Sequence, residues 1–206
     1  MASIEALHAP VLVYFIGWPG TGKKTIGKAL QKTLPGARFI SNHHIIDLAG
    51  AIVGAQGREF YQSVRAAIHA TAMELLFDNL KTNAAACRVA IVTGSHAGGE
   101  HDLGVFQRVH EAAKRHEIRV VGILLDCDLE ENKRRLVTDE RIGKKLTRTD
   151  ELQLFHTTRT IYDQVPHPLR LNVTHLSPEE AAAIIWNHVV DVCAASSTTA
   201  ATTTSP

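Results

Sequence analysis

The residues Gly17-Trp18-Pro19-Gly20-Thr21-Gly22-Lys23-Lys24-Thr25 have the types and spacing of a phosphate cradle. They follow the apolar run 11–16 and precede a helix-like stretch at 25–34, so the order is strand, glycine-rich turn, helix. Gly17, Gly20 and Gly22 let successive backbone N–H groups, including that of Thr21, close around a phosphate. The helix N-terminus adds the positive end of its dipole, and Lys23 supplies a cation that can reach the terminal phosphates of a nucleotide. One position departs from the common pattern: the hydroxyl residue expected after the lysine, where Mg²⁺ binds, is Lys24. A lysine cannot coordinate a cation. Thr25 therefore takes that role one place later, or a water does, or metal binding is weak.

The elements that must position this loop are legible along the chain. At 206 residues the chain is long enough for one domain with a sizeable core. Its 22 basic and 21 acidic residues nearly cancel, which argues against a polyanion binder. Cys87, Cys127 and Cys193 are scattered and lack metal-ligand or redox spacing, as expected for reduced thiols of a cytoplasmic protein. The twelve histidines include no HxxxH or HExxH arrangement. Residues 1–10 have no basic leader pattern and read as an N-terminal extension, with no expected membrane association. Residues 194–206 are low-complexity and read as a disordered tail.

Between these ends, apolar runs at 11–16, 38–40, 89–93, 120–125 and 171–173 alternate with helical patterns. The helices are expected at 25–34, about 60–80, 103–116, 130–136, 151–163 and 178–193. Continuous Val/Ile/Leu strands imply a parallel sheet covered on both faces, so the fold class is α/β, a three-layer sandwich over 11–193. Ser177-Pro178-Glu179-Glu180 reads as a capping box, and Asp128-Leu129-Glu130-Glu131 suggests the same at an earlier helix.

The loop Gly-x-Pro-Gly-x-Gly-Lys-x-Thr resembles that of adenylate kinase and its relatives, where the threonine also comes one place late. With the order of elements, the chain from about residue 11 to 190 resembles the shikimate kinase, gluconate kinase and chloramphenicol phosphotransferase group of P-loop kinases. This resemblance implies a five-stranded sheet of order 2-3-1-4-5, with ATP and Mg²⁺ as cofactors and a small-molecule acceptor facing the segment after the second strand. In such kinases an aspartate near that segment orients or deprotonates the acceptor hydroxyl. Here Ser41-Asn42 stands where the acid is expected, the first carboxylate is Asp47, and His43 or His44 is the second candidate.

The resemblance places acceptor-binding arginines near Arg58 and Arg65, and a guanidinium suits a carboxylate or phosphate because its fork matches two oxygens. They are seven residues apart, about two helical turns, so both project to a similar side of one helix. After the third strand, Gly94 opens a glycine-rich loop in place of an acid, followed by Glu100, His101 and Asp102 as lesser candidates. The basic stretch at about 137–150 looks like a lid whose Arg141 and Arg148 reach the transferring phosphoryl group, with Arg135 near the nucleotide. The basic stretch lacks the interleaved aromatics of a nucleic-acid surface.

The expected activity is transfer of the γ-phosphate of ATP to a small-molecule hydroxyl. A nucleoside monophosphate kinase is one alternative, against which stands the missing Asp-Gly-aromatic-Pro-Arg segment at the third strand. A non-catalytic nucleotide-binding module is another, favoured by the missing acid at the end of the third strand, by Lys24 and by Ser41-Asn42.

Overall fold

Strand β1 (Val11–Gly17) is buried along its whole length, and this sets the architecture. Successive side chains of a strand point to opposite faces. Val11, Val13 and Phe15 pack with residues of helices α1 (Lys23–Thr33) and α7 (Pro178–Ala201). Leu12, Tyr14 and Ile16 pack with α3 (Arg58–Thr82) and α4 (Glu100–Arg115). A strand apolar on both faces is stable only between two helical layers, which is why the run carries no alternation of polar residues. The computed structural model describes residues 7, 9–55, 57–94, 100–137 and 148–201.

The sheet has the order β2 (Arg38–Ser41), β3 (Val89–Thr93), β1, β4 (Arg119–Asp126), β5 (Leu169–Asn172), as the resemblance implied, and every pair is parallel. Phe15 and Ser41 are both in register with Thr93, and Gly17 is in register with Leu125. The carboxyl ends of four strands therefore meet at one edge, the edge where open α/β sheets bind ligands.

Several elements differ from the sequence expectation. Helix α2 (Asn42–Val53) was not anticipated. It starts at Ser41, whose Oγ accepts from the His43 N–H at 3.3 Å, while the Ser41 N–H donates to His44 Nδ1 at 3.4 Å. A histidine thus does the work of the usual glutamate in a capping box. Helix α5 (Leu129–Leu136) has no side-chain cap from Asp128, correcting the second capping-box expectation. The reason is competition: Asp128 Oδ1 accepts from Asn172 at 3.1 Å, and Glu131 is held by Arg134 and Arg135 at 2.7 Å. At α7 the expected box is present, with Ser177 N–H to Glu180 Oε2 at 2.8 Å and Glu180 N–H to Ser177 Oγ at 3.2 Å.

Helix α6 (Thr149–Thr158) ends five residues before the expected 163, where Arg159 turns to extended backbone. Strand β5 begins two residues earlier than expected, and Arg170 on it pairs with Asp126 of β4 at 2.9 Å. Helix α7 continues through Ala201, beyond the expected stop at Cys193 and into the stretch read as a tail. Its alanines favour this continuation, since alanine is the best helix former. Leu7, placed by sequence in an extension, is fully buried in the core, and its carbonyl accepts from Arg88.

Candidate active site

The turn from β1 into α1 is built around two residues with left-handed backbone, Gly20 (φ 92°) and Gly22 (φ 93°). A side chain at Gly20 would also run into the amide of Asn132. Asn132 lies on α5, is fully buried, and donates from Nδ2 to the Pro19 carbonyl at 2.9 Å. That bond holds the Pro19 carbonyl on the side facing α5. Thr21 is fully buried and closes the loop by donating from Oγ1 to the Trp18 carbonyl at 2.9 Å. Lys23 Nζ lies against the carbonyls of Gly17 at 2.5 Å and Trp18 at 2.8 Å, so its charge sits over the loop. Lys24 is half-buried and Thr25 exposed, both in the first turn of α1.

Helix α6 locks onto this loop through groups that sequence reading did not single out. Trp18 stacks on Phe155 with centroids 6.4 Å apart and meets the His156 ring at 5.0 Å. His156 Nε2 lies 3.4 Å from Asn132 Oδ1, completing a chain from α6 through Asn132 to Pro19. Burial lowers the His156 pKa, which favours the neutral ring donating to the amide oxygen. A tryptophan inside a glycine-rich loop was the available signal. Asn132, surrounded by charges in sequence, gave none.

On the β2–β3 side of the edge, the Asn42 N–H donates to Thr93 Oγ1 at 3.1 Å, and Arg65 Nη2 donates to Asn42 Oδ1 at 3.3 Å. The Gly94 N–H donates to the Phe15 carbonyl at 2.8 Å, tying this loop start to β1. Arg65 is thus joined to the strand ends, whereas Arg58 is exposed at the start of α3. His43 is half-buried with Nδ1 3.5 Å from Ser41 Oγ. His44 is engaged in the α2 cap, and Asp47 is exposed one turn further on. Gln62, one turn before Arg65 on α3, keeps its side-chain carbonyl oxygen buried with no hydrogen-bond partner among the described residues.

The remaining candidates are distributed as follows. Arg135 donates to the Thr174 carbonyl at 2.9 Å and the Val173 carbonyl at 3.0 Å, pinning the loop after β5. Arg148 is exposed at the start of α6 and pairs with Asp150 at 2.6 Å and Glu151 at 3.1 Å. Arg141 and residues 138–147 of the expected lid lie outside the described residues, as do 95–99. No group of three His, Cys, Asp or Glu side chains among the described residues could hold a metal. Mg²⁺ bound with a nucleotide needs few protein ligands, because phosphates and water supply most of its octahedron. A single hydroxyl such as that of Thr25 therefore fits that ion's demand.

His69, one turn after Arg65 on α3, has its pKa lowered from 6.5 to about 4, first by burial and then by Arg65 and Arg108. Below pH 6.5 the unfolded chain takes up a proton that the folded chain refuses, so stability falls as pH drops from 6.5 towards 4. The expected loss is on the order of 2–3 kcal/mol. Urea unfolding at stepped pH measures it, and His69→Gln should flatten that part of the profile.

No curated protein matches the chain. Among solved structures, a Chloroflexus aurantiacus protein provisionally assigned as a kinase aligns at 17% identity over 89% of this chain and 97% of its own, with a TM-score of 0.65. Shikimate kinase from Acinetobacter baumannii, in complex with shikimate, aligns at 18% identity over 92% of this chain and 98% of its own, with a TM-score of 0.59. A gluconokinase from Sinorhizobium meliloti aligns at 13% identity over 89% and 94%, with a TM-score of 0.57. No helix among the described residues is long and apolar enough to cross a membrane. A family model described as an AAA domain matches residues 13–156, a span that takes in the phosphate loop, Asn42, Arg65 and Asn132. The chain therefore belongs to the AAA-domain family and has the fold of the small-molecule P-loop kinases.

Proposed function

We propose that this protein is an ATP-dependent phosphotransferase that moves the γ-phosphate to a hydroxyl of a small molecule. One observation carries the reading: the Lys23 loop and the Asn42–Arg65–Thr93 cluster share one edge of the sheet. The first can hold the phosphates of ATP and the second can hold an acceptor beside them. In the reaction the acceptor oxygen attacks the γ-phosphorus, the bond to the β-phosphate oxygen breaks, and ADP leaves. The acceptor proton passes to Asp47 or His43. Lys23 and the loop N–H groups hold the β- and γ-phosphates, and Arg141 and Arg148 of the lid approach the charge that develops on the peripheral oxygens. Mg²⁺, when bound with ATP beside Thr25, neutralises phosphate charge.

Arg65, held beside Asn42 at the strand ends, suits an acceptor with an anionic group. Arg65→Met is expected to raise the acceptor KM by about tenfold or more with a smaller change in kcat, the pattern of lost ground-state binding. Steady-state kinetics with the acceptor identified as follows checks it.

Thermal shift is measured with ATP and GTP, each with and without Mg²⁺, and then with sugars, sugar acids, antibiotics, nucleosides and nucleoside monophosphates. Binding to the folded state alone raises the midpoint by mass action. A Mg·ATP shift that grows with one acceptor class supports the reading. A nucleotide shift with no acceptor effect favours a non-catalytic module, for which the Thr93 ending of β3 and Lys24 argue. Growth with nucleoside monophosphates alone identifies a nucleotide kinase.

A further inference from the structure

The cleft between α3 and α4 encloses about 370 Å³, within the range of small-molecule pockets, and none of its lining residues belongs to the phosphate loop. Its walls include Ala70, Met73, Val109 and Ala112, with His69 and Arg108 among the polar lining groups. Its charged lining residues, Glu74, Glu111, Arg108 and Arg115, balance in number but do not pair one to one. Glu74 is matched by Arg115 and by His116 at 2.8 Å, and Glu111 by Lys114 at 3.7 Å. Arg108 has no carboxylate within ion-pair distance among the described residues, and one of its guanidinium nitrogens lies over Gly104, where a side chain would crowd it. The His69 ring makes no hydrogen bond among the described residues and is neutral above about pH 4. It therefore offers both a donor and an acceptor nitrogen.

We propose that the α3–α4 cleft is a second small-molecule site, taking an organic carboxylate with an apolar body and separate from the nucleotide loop. The carboxylate meets Arg108 and the His69 N–H, and the body packs on Met73, Val109 and Ala112. Because His69 follows Arg65 by one helical turn, the site adjoins the acceptor side of the sheet edge through α3. The proposal does not depend on the kinase reading, since binding is measured without nucleotide.

Met73 is one of two methionines in the sequence, so carbon-13 methyl labelling gives a reporter on the cleft wall. The full chain is titrated with hydrocinnamate and, separately, with its neutral counterpart hydrocinnamyl alcohol. The expected result is a saturable Met73 shift and weaker binding of the alcohol. Hydrocinnamate should lose about tenfold in affinity in Arg108→Gln, the scale of a lost charge-assisted contact. Arg108 is exposed, so the variant should keep its melting temperature. Absence of a saturable Met73 shift overturns the site. Equal binding of acid and alcohol, or an unchanged affinity in Arg108→Gln, overturns its anion preference. Displacement of hydrocinnamate by Mg·ATP overturns its separateness.

Discussion

Lys23→Ala is expected to lower the rate of phosphoryl transfer by about 10²–10³-fold or more while leaving the fold intact, because it deletes the fixed cation over the phosphate loop. Lys23 donates to the Gly17 and Trp18 carbonyls of its own loop, at 2.5 and 2.8 Å, and belongs to none of the three hydrophobic clusters. The stability change should stay within about 1–3 kcal/mol, too little to unfold a domain of this size. Lys23→Arg should not rescue activity, since a planar fork does not replace a compact ammonium in a loop shaped around it. Circular dichroism melting and an ADP-release assay separate the two effects. Normal turnover in Lys23→Ala would remove the loop from the reaction.

Asn132→Asp is expected to be the most damaging conservative change outside the loop. The amide donates to Pro19 at 2.9 Å, faces His156 at 3.4 Å and is fully buried. Aspartate has the same shape but no donor, and it sets a carboxylate oxygen against the Pro19 carbonyl. An uncompensated buried charge costs on the order of 3–5 kcal/mol. The KM for ATP should rise about tenfold or more as the loop loses its outer support. The sign of the pH response distinguishes this account from general disruption. Burial raises the new carboxyl's folded pKa above its unfolded value, so the variant should recover stability as pH falls and the protonated acid can again donate to Pro19. His156→Ala removes only the second partner and should cost less, about 1 kcal/mol. Urea melts of both variants between neutral and mildly acidic pH test the ordering, and equal losses with no pH dependence would contradict it.

The sheet was legible because its signals are local. The buried run of β1 and the five residues of β3 declare themselves by composition, and the glycine spacing marks the turn between strand and helix. What escaped was the structure set by partners distant in sequence. Helix α2 hides because Ile45, Ile46, Leu48 and Ile52 blur its periodicity, although the buried set Ile45, Ala49 and Val53 keeps helical spacing. Its cap uses His44, a residue the capping-box pattern does not include. The Asp128 cap failed because Asn172, 44 residues away, claims the carboxylate. Asn132 and His156 matter only because α5 and α6 bring them to Pro19 and Trp18. Arg58 and Arg65 read as equivalents in sequence, yet only Arg65 reaches Asn42, since Arg58 sits at the exposed first turn of α3.

The most direct test of the central claim is phosphorus NMR of the protein with Mg·ATP and each acceptor class in turn. The account predicts a new phosphomonoester resonance that appears in step with ADP for one acceptor class and is absent in Lys23→Ala. Release of ADP with inorganic phosphate alone, or no change in ATP with any acceptor despite nucleotide binding, would contradict it.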